Sequence, residues 1–242
     1  MHTVKRAIIM AAGRGNRMRP LTDRIPKPLV AVHGVRMIDT VISALHMNGI
    51  REIGVVVGYR KEQFRELEES VEGLRLIENP WYADSNNISS LYAARDMLGD
   101  CMILDGDQII RNPAALDAHF EKSGYNAVWC EQETDEWLMQ VRDGRVLSCS
   151  RTGGRGGWQL YSVSRWTMED GKKLRGQVEA EFEGGNRRIY WDDVAMFRYF
   201  DQYDMGIHVM QRGDVMELDS LEELAAMDSS YESLLENRGG VG

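Results

Sequence analysis

Two parts of this 242-residue chain concentrate groups that could handle phosphates and a hard cation. In the first, Ala11-Ala12-Gly13-Arg14-Gly15-Asn16-Arg17-Met18-Arg19-Pro20-Leu21-Thr22 is followed closely by Pro26-Lys27-Pro28-Leu29. Glycines tolerate positive φ and let backbone N–H groups approach an anion closely. Between residues 5 and 28, Lys5, Arg6, Arg14, Arg17, Arg19, Arg24 and Lys27 stand against Asp23 alone. A solvated basic face would also collect such charges, but it would not need glycines directly after an apolar run. The second part is acidic. Asp105-Gly106-Asp107 follows the apolar Cys101–Leu104, and Glu217-Leu218-Asp219 precedes a helical pattern beginning at Leu221. The first pair reads either as a turn or as ligands for a metal. Asp219 reads either as such a ligand or as a helix N-cap with Glu222 three residues on.

The elements that must position these groups follow from hydrophobic periodicity. Ala7–Ala12, Ile53–Val57, Leu74–Ile77 and Cys101–Leu104 are short apolar runs, the pattern of parallel strands buried on both faces. Between them, Met37, Ile38, Val41, Ile42 and Leu45 mark a helix that stops at Gly49. Phe64, Leu67 and Val71 mark a charged amphipathic stretch, and Leu91 to Leu98 a further helix. This β-α-β order predicts an α/β fold with a doubly wound, mostly parallel, Rossmann-like sheet, its ligands at the carboxyl ends of the strands. Later, Asp143-Gly144 between Trp137–Val141 and Val146–Cys149 predicts a hairpin. Arg151–Gly157, with four glycines and two arginines, reads as a mobile loop. Asp193–Phe200 reads as helical and Ile207–Met210 as a strand. One domain is expected over 1–236, with 237–242 a glycine-rich tail or a linker to a partner enzyme.

Composition removes several alternatives. With 29 basic and 38 acidic residues the net charge is −9, a poor match for nucleic acid or an anionic membrane surface. Cys101, Cys130 and Cys149 form no CxxC pair, and the five histidines form no HExxH, so neither a disulfide framework nor a zinc site is expected. Ala7–Ala12 is too short for a signal-peptide core, which leaves the cytoplasm as the expected compartment. The Walker string Gly-x4-Gly-Lys-Ser/Thr is absent. A dinucleotide fingerprint fails because Met18 stands where its third glycine is required.

The glycine loop resembles the sugar-nucleotidyltransferase signature Gly-x-Gly-x-Arg-Met/Leu-x-Pro-Leu-Thr with its later Pro-Lys-Pro-Leu. Over roughly residues 5–235 the chain is similar to bacterial phosphocholine cytidylyltransferases and the related 2-aminoethylphosphonate cytidylyltransferases. Asn79 to Tyr92, Glu136-Trp137, Tyr190-Trp191-Asp192 and Glu217-Leu218-Asp219 carry that similarity. The resemblance implies CMP transfer from CTP to an aminoalkyl phosphonate or phosphate, with 1–110 the nucleotide-binding half and 111–236 a small β-hairpin and helical acceptor-binding part. It implies that Ala12, Gly13, Arg14 and Gly15 line the triphosphate, that Arg17 steadies it, and that Lys27 meets the acceptor phosphate. It implies further that Asn87 and Ser89 contact cytosine and that Asp107, with Asp219 and Glu217, holds Mg²⁺.

For the acceptor, Trp137, Tyr190 and Trp191 offer ring faces and Asp192 and Asp193 offer charge, which is what a cationic head group needs. Asp193 replaces the asparagine of the phosphocholine pattern, and a second carboxylate suits an –NH₃⁺ that donates hydrogen bonds better than a trimethylammonium. The expectation is therefore 2-aminoethylphosphonate, with phosphocholine as the alternative. More distant readings are a sugar-1-phosphate enzyme or a nucleotide sensor without chemistry, and a homodimer is a further expectation.

Overall fold

The computed structural model describes residues 1–236. Strands β1 (Arg6–Ala11), β2 (Glu52–Val57), β3 (Leu74–Glu78) and β4 (Cys101–Asp105) pair in parallel in the order β3-β2-β1-β4. Strand order reverses at β1, so a crevice opens beyond the carboxyl ends of β1 and β4. Alternate residues of β1 serve opposite cores. Ala7, Ile9 and Ala11 join Ile38, Val41 and Leu45 of helix α1 (Met37–Met47) and Leu67 of α2 (Arg65–Ser70). Ile8 and Met10 join Leu91 of α3 (Ile88–Ala93) and Leu174, Val178 and Phe182 of α4 (Met168–Glu183). Helices cover both faces, which is why the central stretches of these strands are apolar on both sides, with charged residues at their ends and at Arg75 of the edge strand β3.

The second half extends the same sheet with mostly antiparallel pairing. Its strands are β5 (Gln108–Ile110), β6 (Gly124–Cys130), β7 (Leu138–Arg142), β8 (Arg145–Ser150), β9 (Gly157–Trp166), β10 (Gly206–Val209) and β11 (Val215–Glu217). The ten-residue β9 joins the halves. Its end at Val163–Trp166 pairs with β4, its start with Leu138 and Met139 of β7, and β6 runs along its other side, with β10 alone joining β6 in parallel. The hairpin β7–β8 turns on Asp143 and Gly144, both at positive φ as a type I′ turn requires. A separate pairing of β11 with β5 sets Glu217 opposite Gln108 and brings the late acidic residues beside Asp107. Leu221 and Leu224 of helix α5 (Leu221–Met227) pack on Met18, Val30 and Met37, anchoring the glycine loop from behind.

Five elements were not read from the sequence: β5, β6, β9, β11 and α4. Strand β9 changes neighbours along its length, so its burial follows no single period. Helix α4 carries Gly171 and Gly176 among many charges, although Thr167 caps it and Leu174, Val178 and Phe182 repeat every fourth residue. The segment expected to be helical at Asp193–Phe200 forms a single wide turn over Val194–Arg198 and a short tight one after it. Arg151–Gly157 is not the free loop that its glycines suggest. Thr134 and Gly154 exchange backbone hydrogen bonds of 2.9 and 2.8 Å, and Gly153 packs so close to the Thr134 carbonyl that a Cβ would not fit. The expectation for the tail at 237–242 lies outside the described residues.

Candidate active site

The crevice at β1 and β4 holds a cavity of about 370 Å³, within the range of small-molecule sites. Ala12, Gly13, Gly15, Asn16 and Arg17 form one wall, and Asp105, Asp107 and Asp219 the other. Gly15 has φ +61°, and a Cβ there would meet the Lys27 Cβ at 2.9 Å, so glycine is what lets the loop lie over Lys27. The Thr22 hydroxyl donates to the Gly15 carbonyl at 2.8 Å and holds that bend. Arg14 does not line the cavity; its guanidinium lies 6.0 Å from the Tyr82 ring.

Lys27 is buried, with its Nζ 2.6 Å from Asp107 Oδ2 and 3.0 Å from Asp219 Oδ1. Burial alone would lower its pKa, but the two carboxylates outweigh burial and hold it above the ordinary lysine value. Arg17 Nη2 reaches the same Asp219 oxygen at 2.8 Å. Asp219 is not the N-cap. Ser220 caps α5 in a reciprocal box with Glu223, which leaves the Asp219 carboxylate turned to the two cations. Asp107 and Asp219 thus present hard oxygen ligands across the cleft from the glycine loop, a donor set that suits Mg²⁺ when phosphates complete its shell. Among the described residues no group of three or more acidic, histidine or cysteine side chains forms a self-sufficient metal site.

A second cavity of about 230 Å³ adjoins the first, sharing Asn87 and Asp105 as lining. It is too small for another nucleotide. Trp137 and Tyr190, edge to face at 6.2 Å, line it together with Glu136, Ser162, Asp192 and Glu217. Asp192 is only 8% exposed, and its buried Oδ1 makes no well-formed hydrogen bond, the Tyr125 phenol being the polar group beside the carboxylate. Burial pushes its pKa up to about 7, despite the neighbouring Tyr125 phenol. The Asp105 carboxyl is pushed well above the usual range, by burial first and by Asp107 and Glu217 next. Water reaches Glu217 through the cleft, yet the enclosing walls and the Asp107 and Asp219 charges still push it up to about 7. Its carboxylate accepts a 2.8 Å hydrogen bond from Gln108 and lines the second cavity, not the first.

The structure separates several residues that the sequence had grouped. Ser89 is fully buried and bonded to Asn79 and Asn86, while its neighbour Ser90 lines the first cavity. Asn87 lines both cavities and accepts from the Trp191 N–H at 2.9 Å. Trp191 itself is core, stacked on Tyr125 at 6.1 Å. Asp193 does not line the second cavity. Its Oδ1 takes both Arg151 Nε, at 2.8 Å, and Nη2, at 2.5 Å, and its Oδ2 takes the Tyr190 N–H at 2.9 Å. Asp105, Ser90, Ser162 and Glu136 were given no role of their own from the sequence, although Ser90 and Glu136 lie in stretches that carry the resemblance. Asp105 was visible as the first acid of Asp-Gly-Asp, whereas Ser162 carries no signal until β9 is paired with β4.

Residues 6–136 match the nucleotidyl transferase family model. The 2-aminoethylphosphonate cytidylyltransferase of Lancefieldella rimae is 40% identical over 233 residues, 95% of this chain and 94% of that protein. The solved CTP:phosphocholine cytidylyltransferase of Streptococcus pneumoniae superimposes with a TM-score of 0.85 at 31% identity, covering 93% of this chain and 98% of the other. An inositol-1-phosphate CTP transferase from T. maritima, 19% identical with a TM-score of 0.74 over 99% of this chain and 98% of its own, shares the fold. Among the described residues no helix is long and apolar enough to cross a membrane. With the glycine-loop cleft at the sheet's switch point and these likenesses spanning nearly its whole length, the chain belongs to the nucleotidyl transferase family.

Proposed function

We propose that the protein is a Mg²⁺-dependent cytidylyltransferase that moves CMP from CTP to an aminoalkyl phosphonate, 2-aminoethylphosphonate in the first place. One observation carries the choice of acceptor. Asp192, buried beside Trp137 and Tyr190, has a carboxylate oxygen that makes no well-formed hydrogen bond, and an –NH₃⁺ can donate to it while a trimethylammonium cannot. This replaces the argument from Asp193, whose carboxylate is already taken by Arg151. The Lancefieldella relative supports the same acceptor.

In the reaction an anionic acceptor oxygen attacks the α-phosphorus, forming a new P–O bond. The bond from that phosphorus to the β-phosphate oxygen breaks, and pyrophosphate leaves with the electron pair. The attacking oxygen is already ionised at neutral pH, so no general base is required. Catalysis then consists of alignment and cationic stabilisation. The loop amides from Ala12 to Gly15 and the Arg17 guanidinium receive the triphosphate, and Ser90 and Asn87 face the nucleotide from α3. Lys27, at the bottom of the same cleft, meets the acceptor phosphonate and holds it in line. Asp107 and Asp219 would hold Mg²⁺, which offsets charge on the phosphate oxygens. Trp137, Tyr190 and Asp192 take the ammonium end. Three free cysteines fit a reducing cytoplasm as the setting.

The second reading, phosphocholine as acceptor, draws on the Trp137 and Tyr190 rings that line the second cavity, which suit any quaternary ammonium, and on the Streptococcus likeness. Pyrophosphate release with CTP and Mg²⁺ decides between them. The first reading expects higher kcat/KM for 2-aminoethylphosphonate than for phosphoethanolamine or phosphocholine. Turnover of glucose-1-phosphate with none of the three would sink both.

A further inference from the structure

The glycine-rich segment after β8 sends Arg151 behind the aromatic wall of the second cavity. The Arg151 guanidinium carbon lies 3.5 Å over the Phe197 ring and 5.9 Å from the Trp137 ring. Phe197 meets Trp137 edge to face at 5.1 Å, and Trp137 meets Tyr190 at 6.2 Å. Two guanidinium nitrogens converge on Asp193 Oδ1, and the other oxygen of that carboxylate receives the Tyr190 backbone N–H. Asp193 is 6% exposed, so this ion pair is partly desolvated on one side. Neither Arg151 nor Asp193 lines the cavity, whereas Trp137 and Tyr190 both do. One ion pair therefore grips both aromatic residues from outside, Trp137 through ring packing and Tyr190 through its backbone.

We infer that Arg151 and Asp193 form a positioning clamp that sets Trp137 and Tyr190 for the acceptor's cationic head group. Each half needs the other. Without Asp193 the guanidinium loses its anchor over Phe197, and without Arg151 the carboxylate is left buried with only one backbone donor. The anchored 151–157 segment fits this role, because Gly153 and Gly154 permit the close approach to Thr134 that turns Arg151 inward. The consequence is selective: the clamp touches the acceptor wall and no residue of the glycine loop, so it governs the acceptor and not CTP.

The inference rests on the proposed acceptor chemistry, and its test separates the two. Arg151→Gln and Asp193→Asn are each assayed for pyrophosphate release with the ammonium acceptor that the wild type turns over best. Each is expected to raise acceptor KM about 10-fold or more, with CTP KM and saturating kcat within about 3-fold. The double variant is expected to match the singles, since the pair acts as one unit. Arg151→Lys is expected to recover part of the loss. Without any substrate, near-ultraviolet circular dichroism of Arg151→Gln should lose intensity in the tryptophan region while the far-ultraviolet spectrum is kept. That difference should vanish in a Trp137→Phe background. Unchanged acceptor KM, an unchanged near-ultraviolet spectrum, or equal losses for CTP and acceptor would each overturn the clamp. A wild type that uses no ammonium acceptor overturns the function reading instead, and the spectrum still judges the ring positioning.

Discussion

The two adjoining cavities treat their carboxylates in opposite ways. In the glycine-loop cleft, Asp107 and Asp219 are matched by Lys27 and Arg17 at 2.6 to 3.0 Å. In the aromatic cavity no cation of the protein contributes to the electrostatics of Asp192, and the nearest charges to Asp105 are other carboxylates. The first cavity therefore keeps its charge balance when empty and exchanges protein cations for others as substrate arrives. The second has a deficit of cations, and its carboxyls respond by holding protons. A site that must bind polyphosphate has to supply positive charge; a site that must bind an ammonium has to withhold it. The same stretch of sheet does both, because Lys27 comes from the loop after β1, whereas Arg165 of β9 is tied to Asn126 and to the Ala115 and Asp117 carbonyls away from the second cavity.

That contrast can be broken first at the cleft. Asp107→Asn and Lys27→Met should each lower kcat/KM by about 10²–10³-fold, the scale of losing one preorganised charge on a phosphoryl centre. Pyrophosphate release with both substrates varied checks this, and full activity in either variant would remove that residue from the chemistry.

The next effect belongs to the second cavity. Asp192→Asn should cut kcat/KM for the aminoalkyl acceptor by about 10–100-fold, equivalent to a charge-assisted hydrogen bond of about 1.5–3 kcal/mol, without moving CTP KM. The pH dependence sharpens the point. The Asp192 carboxyl, held up at about 7, binds a proton in the folded protein over a range where the unfolded chain has lost it. Folding stability from this group therefore falls as pH rises from its ordinary acid range through 7, while acceptor binding improves over the same rise as the carboxylate ionises. Acceptor KM should fall through neutrality in the wild type and fall less steeply in Asp192→Asn, where Glu217 still titrates in the same cavity, read from initial rates between pH 6 and pH 8.

Trp137→Leu should cost about 5–30-fold in acceptor kcat/KM, the worth of a cation–π contact of about 1–2 kcal/mol. The smallest effect should come at the serine pair of α3. Ser89→Ala should leave both KM values alone and lower the melting temperature by about 2–6 °C, because the buried Asn79 amide loses a partner worth about 1 kcal/mol. Ser90 Oγ also accepts from the Asn79 amide, at 3.0 Å, so Ser90→Ala should show a similar loss of stability and in addition raise CTP KM by about 2–5-fold, as expected for one neutral hydrogen bond of under about 1 kcal/mol. Thermal melts and CTP titrations of the two variants distinguish these outcomes.

The parallel half was legible because its strands are buried on both faces, so Ala7–Ala12 and Cys101–Leu104 announce themselves without help from neighbours. The glycine loop was legible because its chemistry is local: Gly15, Arg17 and Lys27 act within sixteen residues of the end of β1. Strand β9 was not legible, since its burial pattern depends on β4, β6 and β7 at different points along its length.

The amino-acid sequence by itself determined the sheet's parallel core, the anion-binding loop and the identity of the acidic residues. Only the tertiary structure decided which acid lines which cavity. Asp192 and Asp193 are adjacent and chemically identical, yet one lines a cavity with an oxygen that makes no well-formed hydrogen bond and the other is tied to an arginine forty-two residues earlier in the chain. Neighbouring side chains at the start of a turn point in different directions. Which of them meets a cation is settled by what the distant chain brings alongside, here the 151–157 segment held against Thr134.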